Sequence, residues 1–156
     1  AASDVYKRQR EMWARREAAA EICMPFMPMV SADIAVPTDK MEAVLDMIDG
    51  EIRKIDPDPF VIIVAHLGDG NAHYAVKTAN MTAERKDEVT EIIEDCVLKF
   101  GGSFSAEHGI GTYKLPSMAR RKNKTALAAM RAIKQALDPQ NIMNPGKVIP
   151  EERGSI

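Results

Sequence analysis

Residues 60–78 run FVIIVAHLGDGNAHYAVKT, and the fold turns on this stretch. Two arms rich in β-branched and aromatic residues flank a Gly-Asp-Gly-Asn segment, so the pattern is strand, tight turn, strand. The first arm, FVIIVAHL, is apolar without alternation, which predicts a strand buried on both faces. The second, AHYAVKT, returns beside it as the other half of a hairpin. Asp69-Gly70 is expected at the centre of a two-residue turn, a register that sets Gly68 against Asn71, Leu67 against Ala72, and His66 directly opposite His73.

That register carries chemistry. Side chains of directly opposed residues start about 5 Å apart at Cβ and leave the same face of the sheet, so two imidazoles there can hold one ion between them. The chain has three histidines. The third, His108, follows Glu107 in GGSFSAEHGIG, residues 101–111. Neighbouring strand residues point to opposite faces, so Glu107 and His108 serve one site only if the chain bends, which Gly109 and Gly111 permit. His66, His73 and Glu107 are thus the candidate ligands of a divalent metal with open positions, a donor set that suits Zn²⁺ and also Fe²⁺ or Mn²⁺. Singly, each residue has a plainer reading as a core histidine, a turn flank or a strand end.

Working outward, REMWARREAAA (10–20) favours helix and stops at a proline-rich break. MVSADIAV (29–36) reads as a strand. A helix opens at Pro37-Thr38 with Thr38 as N-cap, places Met41, Val44, Leu45, Ile48, Ile52 and Ile55 on one face, and ends at Asp56-Pro57. Beyond the hairpin, Val89, Ile92, Ile93, Cys96, Val97 and Phe100 line a second amphipathic helix that Gly101-Gly102 closes. GSFSAE (102–107) is expected as a further strand. A third helix over roughly 124–137 stops at Asp138-Pro139, and QNIMNPGKVIP (140–150) is too rich in Pro, Gly and Asn for regular structure. Hairpin-linked strands with returning helices predict an α+β fold: a ferredoxin-like, mostly antiparallel sheet with helices on one face, followed by a C-terminal helix and an extended tail.

The 156 residues are 46% hydrophobic and 28% charged, with a net charge of −2. That size suits one domain, expected over 10–150 with a tail at 151–156. The opening AASDVYKRQ fits poorly with the rest of the chain and is set apart as a non-native or disordered start, residues 1–9. No basic stripe is present, which argues against nucleic acid as a partner. No apolar run approaches the roughly 20 residues of a membrane span and no export signal is seen, so the expected location is cytoplasmic. Cys23 and Cys96 form no paired framework and are expected as free thiols.

Three ordered motifs, HLGDGNAH (66–73), GGSFSAEHGIGTYKLP (101–116) and MRAIKQALDPQNIMNPGKVIP (130–150), resemble the C-terminal domain of the FAD-linked D-2-hydroxyacid dehydrogenases and oxidases, of the vanillyl-alcohol-oxidase-like flavoproteins. The resemblance implies an FAD-dependent oxidoreductase that takes a D-2-hydroxy acid to the 2-oxo acid. It implies that His66, His73 and Glu107 hold the metal, that His108 is the general base, and that Arg16 of WARRE grips the substrate carboxylate, with Arg15 one place early. It further implies that Asn144 and Lys147 of NPGK approach the flavin. Ser31 stands where D-2-hydroxyglutarate enzymes carry a lysine, and Ala20 replaces a helix threonine, so lactate or glycolate is favoured over a dicarboxylate. No glycine-rich FAD-binding half precedes residue 1, so the chain is expected to need an FAD-binding domain of the same or another chain and to be inactive alone. Oligomers, redox partner subunits and attachment to a membrane through partners are compatible with such an enzyme. Two rival readings from other classes are a metal-dependent hydrolase that activates water at the same residues and a ferredoxin-like binding module without chemistry.

Overall fold

The computed structural model describes residues 2–18, 21 and 24–151. Its sheet has three antiparallel strands, β1 (Val30–Ala35), β2 (Phe60–His66) and β3 (Asn71–Lys77), with β3 in the centre. Alternation along β3 sends Ala72, Tyr74 and Val76 to one face, where they stand against Ile34, Ala32 and Val30 of β1. Helices α2 (Met41–Ile55) and α3 (Ala83–Lys99) cover that face. Val44, Ile48 and Ile52 of α2 and Val89, Ile93, Cys96 and Val97 of α3 complete a single buried cluster. These are the residues that helical periodicity selects, and each fully buried aliphatic side chain contributes about 1.5–3 kcal/mol. The result is the expected α+β arrangement, with helices on one side of an antiparallel sheet.

Several local expectations are corrected. Strand β2 is an edge strand, and none of its residues is buried; Phe60 and Ile63 are 40% and 43% exposed. Its apolar run therefore does not mark a strand enclosed on both faces. The hairpin loop is four residues, Leu67–Gly70, and not the two-residue turn. Thr38 does not cap α2 through its side chain; a 3₁₀ turn, Thr38–Lys40, leads into the helix and the Thr38 carbonyl accepts the Met41 N–H. In α3, by contrast, Thr82 is a true N-cap whose hydroxyl accepts the Arg85 N–H at 3.2 Å.

The strand expected at 102–107 is reduced to isolated bridge residues, Ser103, which pairs with Ala35, and Ser105. Gly102 explains the close approach there, because a Cβ at that position would sit 2.4 Å from the Ala35 carbonyl oxygen. Helix α1 spans Ala2–Glu17, so the described part of residues 1–9 is helical. Ala20 and Cys23 lie outside the described residues. No helix among the described residues is long and apolar enough to cross a membrane.

The chain divides into two compact units, Ala1–Phe104 and Ser105–Ile156. The second contains α4 (Leu115–Arg121), which the sequence reading passed over, and α5 (Lys124–Leu137), which matches its expected span. Asn123 caps α5 by accepting the N–H groups of Thr125 and Ala126. Past the helix, the buried Asp138 gathers the tail: it receives the Lys134 ammonium and the N–H groups of Ile142 and Met143, both at 2.9 Å.

Candidate metal centre

The two hairpin histidines stand on the sheet face opposite the helices. His66 pairs with Asn71, and His73 pairs with Val64. The expected direct opposition is corrected to a diagonal, two residues out of register. A slip of two keeps every side chain on its own face, whereas a slip of one would send one imidazole into the core.

The reason lies in the loop. Gly70 takes φ +75° and its carbonyl accepts the Val36 N–H at 2.9 Å, so it bonds to the chain leaving β1 and not across the hairpin. Asp69 reinforces the turn by accepting the Asn71 N–H at 3.2 Å, and its own N–H reaches the His66 carbonyl at 3.1 Å.

Across that diagonal the imidazoles meet edge to face, with Nε2 to Nε2 at 3.4 Å and ring planes at 90°. Two ring nitrogens facing at this distance either share a proton or share an electrophile. An ion bonded to each at about 2.0–2.1 Å with a tetrahedral angle separates its donors by about 3.4 Å, so the pair fits one divalent ion without rearrangement. Both rings are partly buried.

On the β1 side, Asp33 pairs with His73 and is 4% exposed. Its Oδ1 accepts the Asn71 side-chain amide at 3.0 Å and lies 3.7 Å from His73 Nδ1. Asn71 Nδ2 also donates to the Ile34 carbonyl at 2.9 Å. The sequence motifs assign Asp33 no role. The signal that could have found it is its place on the neighbouring strand, which becomes visible only once β1 is known to pair with β3.

In the second unit, Glu107 and His108 sit at the outside of a bend clasped by the Ser105 hydroxyl, which donates to the Gly109 carbonyl at 2.7 Å and accepts the Lys114 ammonium at 2.8 Å. Gly109 and Gly111 have φ of +68° and +56°, the bend the glycines were expected to allow. Both side chains are exposed, with His108 Nε2 3.4 Å from Glu107 Oε1. Asn144 and Lys147 lie in the exposed tail, joined by the Lys147 N–H to the Asn144 carbonyl at 3.3 Å. With Arg131, Lys134, Asn141 and Glu151 they line a cavity of about 260 Å³. Arg16 is exposed in the last turn of α1.

The first unit is thus an α+β layer, an antiparallel sheet that carries two helices on one face and the paired imidazoles of His66 and His73 on the other. Residues 1–148 match the family described as FAD linked oxidases, C-terminal domain, and the chain belongs to that family. It is 33% identical over 143 residues to a D-2-hydroxyglutarate dehydrogenase of Xanthomonas citri pv. viticola, covering 88% of this chain and 30% of that protein. Against the mitochondrial D-lactate dehydrogenase [cytochrome] of Arabidopsis thaliana it is 31% identical, covering 91% of this chain and 26% of the relative. Glycolate oxidase subunit GlcD of Bacillus subtilis is 30% identical, over 89% of this chain and 30% of its own length. The chain thus spans less than a third of the length of these relatives.

Proposed function

We propose that this chain is the substrate- and metal-binding part of an FAD-dependent oxidoreductase that converts a small D-2-hydroxy acid to its 2-oxo acid. The observation that carries the reading is the His66–His73 pair, set 3.4 Å apart on a β-hairpin within an FAD-linked oxidase family domain. In this proposal His66, His73 and Glu107 hold a divalent ion, Zn²⁺ or Fe²⁺/Mn²⁺, in the expected ligand set. Such an ion supplies Lewis acidity that lowers the pKa of a bound hydroxyl. His108 accepts the hydroxyl proton, a task for which imidazole is suited near neutrality. Arg16 fixes the substrate carboxylate by a bidentate pair and so sets which face of the α-carbon is presented. Asn144 and Lys147 would contact FAD, which would supply the hydride acceptor and would be held mainly by an FAD-binding domain of the same or another chain.

The residues beside His73 support a monocarboxylate. Ser31, Ala75 and Ile62 occupy one row across the three strands, next to the Asp33–His73–Val64 row and on the same face. That row offers a hydroxyl and two apolar side chains and no cation for a second carboxylate, which favours lactate or glycolate over 2-hydroxyglutarate. The test uses the protein together with its FAD-binding domain, on the same or another chain. Flavin absorbance near roughly 450 nm is expected, with kcat/KM for the D-lactate or glycolate substrate roughly tenfold or more above that for D-2-hydroxyglutarate. Flavin-free protein, or undiminished turnover in His66→Ala and His73→Ala, would overturn the proposal.

A further inference from the structure

We propose that Asp33 is a positioning residue for His73, holding the imidazole in the tautomer that keeps Nε2 open as a ligand. The inference rests on the proposal above that the two hairpin imidazoles share an ion. It starts from the two ends of one ring. His73 Nε2 faces His66 Nε2 at 3.4 Å, while Nδ1 faces Asp33 Oδ1 at 3.7 Å, a few tenths of an ångström beyond a direct hydrogen bond. A carboxylate at Nδ1 favours the proton there, and a proton at Nδ1 in a neutral ring leaves the Nε2 lone pair free. Removing the carboxylate removes that bias, and a ring carrying its proton on Nε2, aimed at His66, cannot ligate.

The carboxylate is placed for this and not drawn to the site by chance. Asp33 and Asn71 are 4% and 5% exposed, and Asn71 spends both amide hydrogens inward, on Asp33 Oδ1 at 3.0 Å and on the Ile34 carbonyl at 2.9 Å. Turned the other way, the amide would set its oxygen against two acceptors, so its orientation is fixed by its partners. Asn71 therefore locks the carboxylate, the carboxylate orients His73, and His73 presents Nε2. A carboxylate or carbonyl behind a ligating imidazole is the general arrangement that fixes tautomer and ring direction at metal sites.

The experiment reads the tautomer directly. Long-range ¹H–¹⁵N correlation spectra of the histidine rings are recorded on the metal-free chain, at a pH where the imidazoles are neutral. His73 is expected as the Nδ1–H form in the parent, as a mixture or the Nε2–H form in Asp33→Ala, and restored toward Nδ1–H in Asp33→Glu. Zinc ion alone is then titrated by calorimetry, where Asp33→Ala should weaken binding roughly 10–100-fold and Asp33→Glu by less. An Nε2–H ring in the parent overturns the proposal whether or not any variant folds. So does an unchanged tautomer and zinc affinity in a folded Asp33→Ala chain. If the parent ring is Nδ1–H, shifts in Asp33→Ala, and yet zinc does not bind, the orienting role of Asp33 stands and the metal reading is what fails.

Discussion

Gly70→Ala is the substitution whose consequence the structure defines most sharply. Gly70 occupies φ +75°, where an L side chain costs about 1–2 kcal/mol. A Cβ built there lies 2.1 Å from the Val36 carbonyl oxygen and 3.3 Å from its carbon, both backbone atoms that cannot swing aside. Overpacking of that kind costs about 1–3 kcal/mol more, or a comparable amount if the chain relieves it by breaking the Gly70 carbonyl bond to the Val36 N–H. The expected loss is therefore about 2–5 kcal/mol, a large share of the 5–15 kcal/mol typical of a domain, and the thermal midpoint should fall by roughly 10 °C. Gly68→Ala is the internal control: two residues earlier in the same loop, its added Cβ meets nothing within 4 Å, so a change within about 0.5 kcal/mol is expected. Urea unfolding followed by far-UV circular dichroism compares the two. Equal midpoints for Gly70→Ala and Gly68→Ala would refute the claim that Gly70 fastens the histidine hairpin to the exit of β1.

Tyr74 is 1% exposed, its hydroxyl meets no protein partner among the described residues, and burial pushes its phenol up to about 12. Tyr74→Phe should be neutral or stabilising by about 1 kcal/mol at neutral pH. Because burial raises the folded value by penalising the phenolate, stability does not respond to Tyr74 ionisation below the unfolded phenol range near pH 10 and declines as pH climbs from there toward 12. The phenylalanine variant should lack that alkaline decline, and a loss above about 1 kcal/mol at pH 7 would contradict the unsatisfied hydroxyl. At Asp138 the sign reverses: the Lys134 ammonium, with the N–H groups of Met143 and Ile142, holds its carboxyl below the usual range. Its contribution is present above the unfolded carboxylate pKa and disappears as pH falls through the lower folded value. Asp138→Asn should remove that acid dependence and speed hydrogen exchange at the Ile142 and Met143 amides; unaltered exchange would show that the turn holds without the carboxylate.

What the sequence made legible was what period and punctuation control. The apolar faces of α2 and α3, the span of α5 between Asn123 and Asp138, and the shared face of His66 and His73 all arise from local pattern. The hairpin register did not, because Asp-Gly specifies a two-residue turn only when its neighbours bond across the hairpin, and here the Gly70 carbonyl is drawn to Val36. The error was harmless to the site since it was even. The status of β2 was also hidden: an apolar run reports hydrophobicity, not whether another strand lies alongside. Helix α4 escaped notice because Leu115–Arg121 opens with Leu-Pro and is short, leaving little periodicity to detect. Asp33 could not be assigned by motif at all, since its partner His73 is forty residues downstream by count and adjacent only through strand pairing.

The fastening of the ribbon at Gly70 and Asn71 has a thermodynamic corollary. Because the amide of Asn71 and the carbonyl of Gly70 are bonded to β1 and its exit, the two rings are preorganised when the chain folds, and a guest meets donors whose conformational entropy has already been surrendered. Loosening the fastening would then weaken capture mainly through faster escape, even with every donor atom intact. In the proposed metal site, affinity would be inherited from the bonding of the strand behind it.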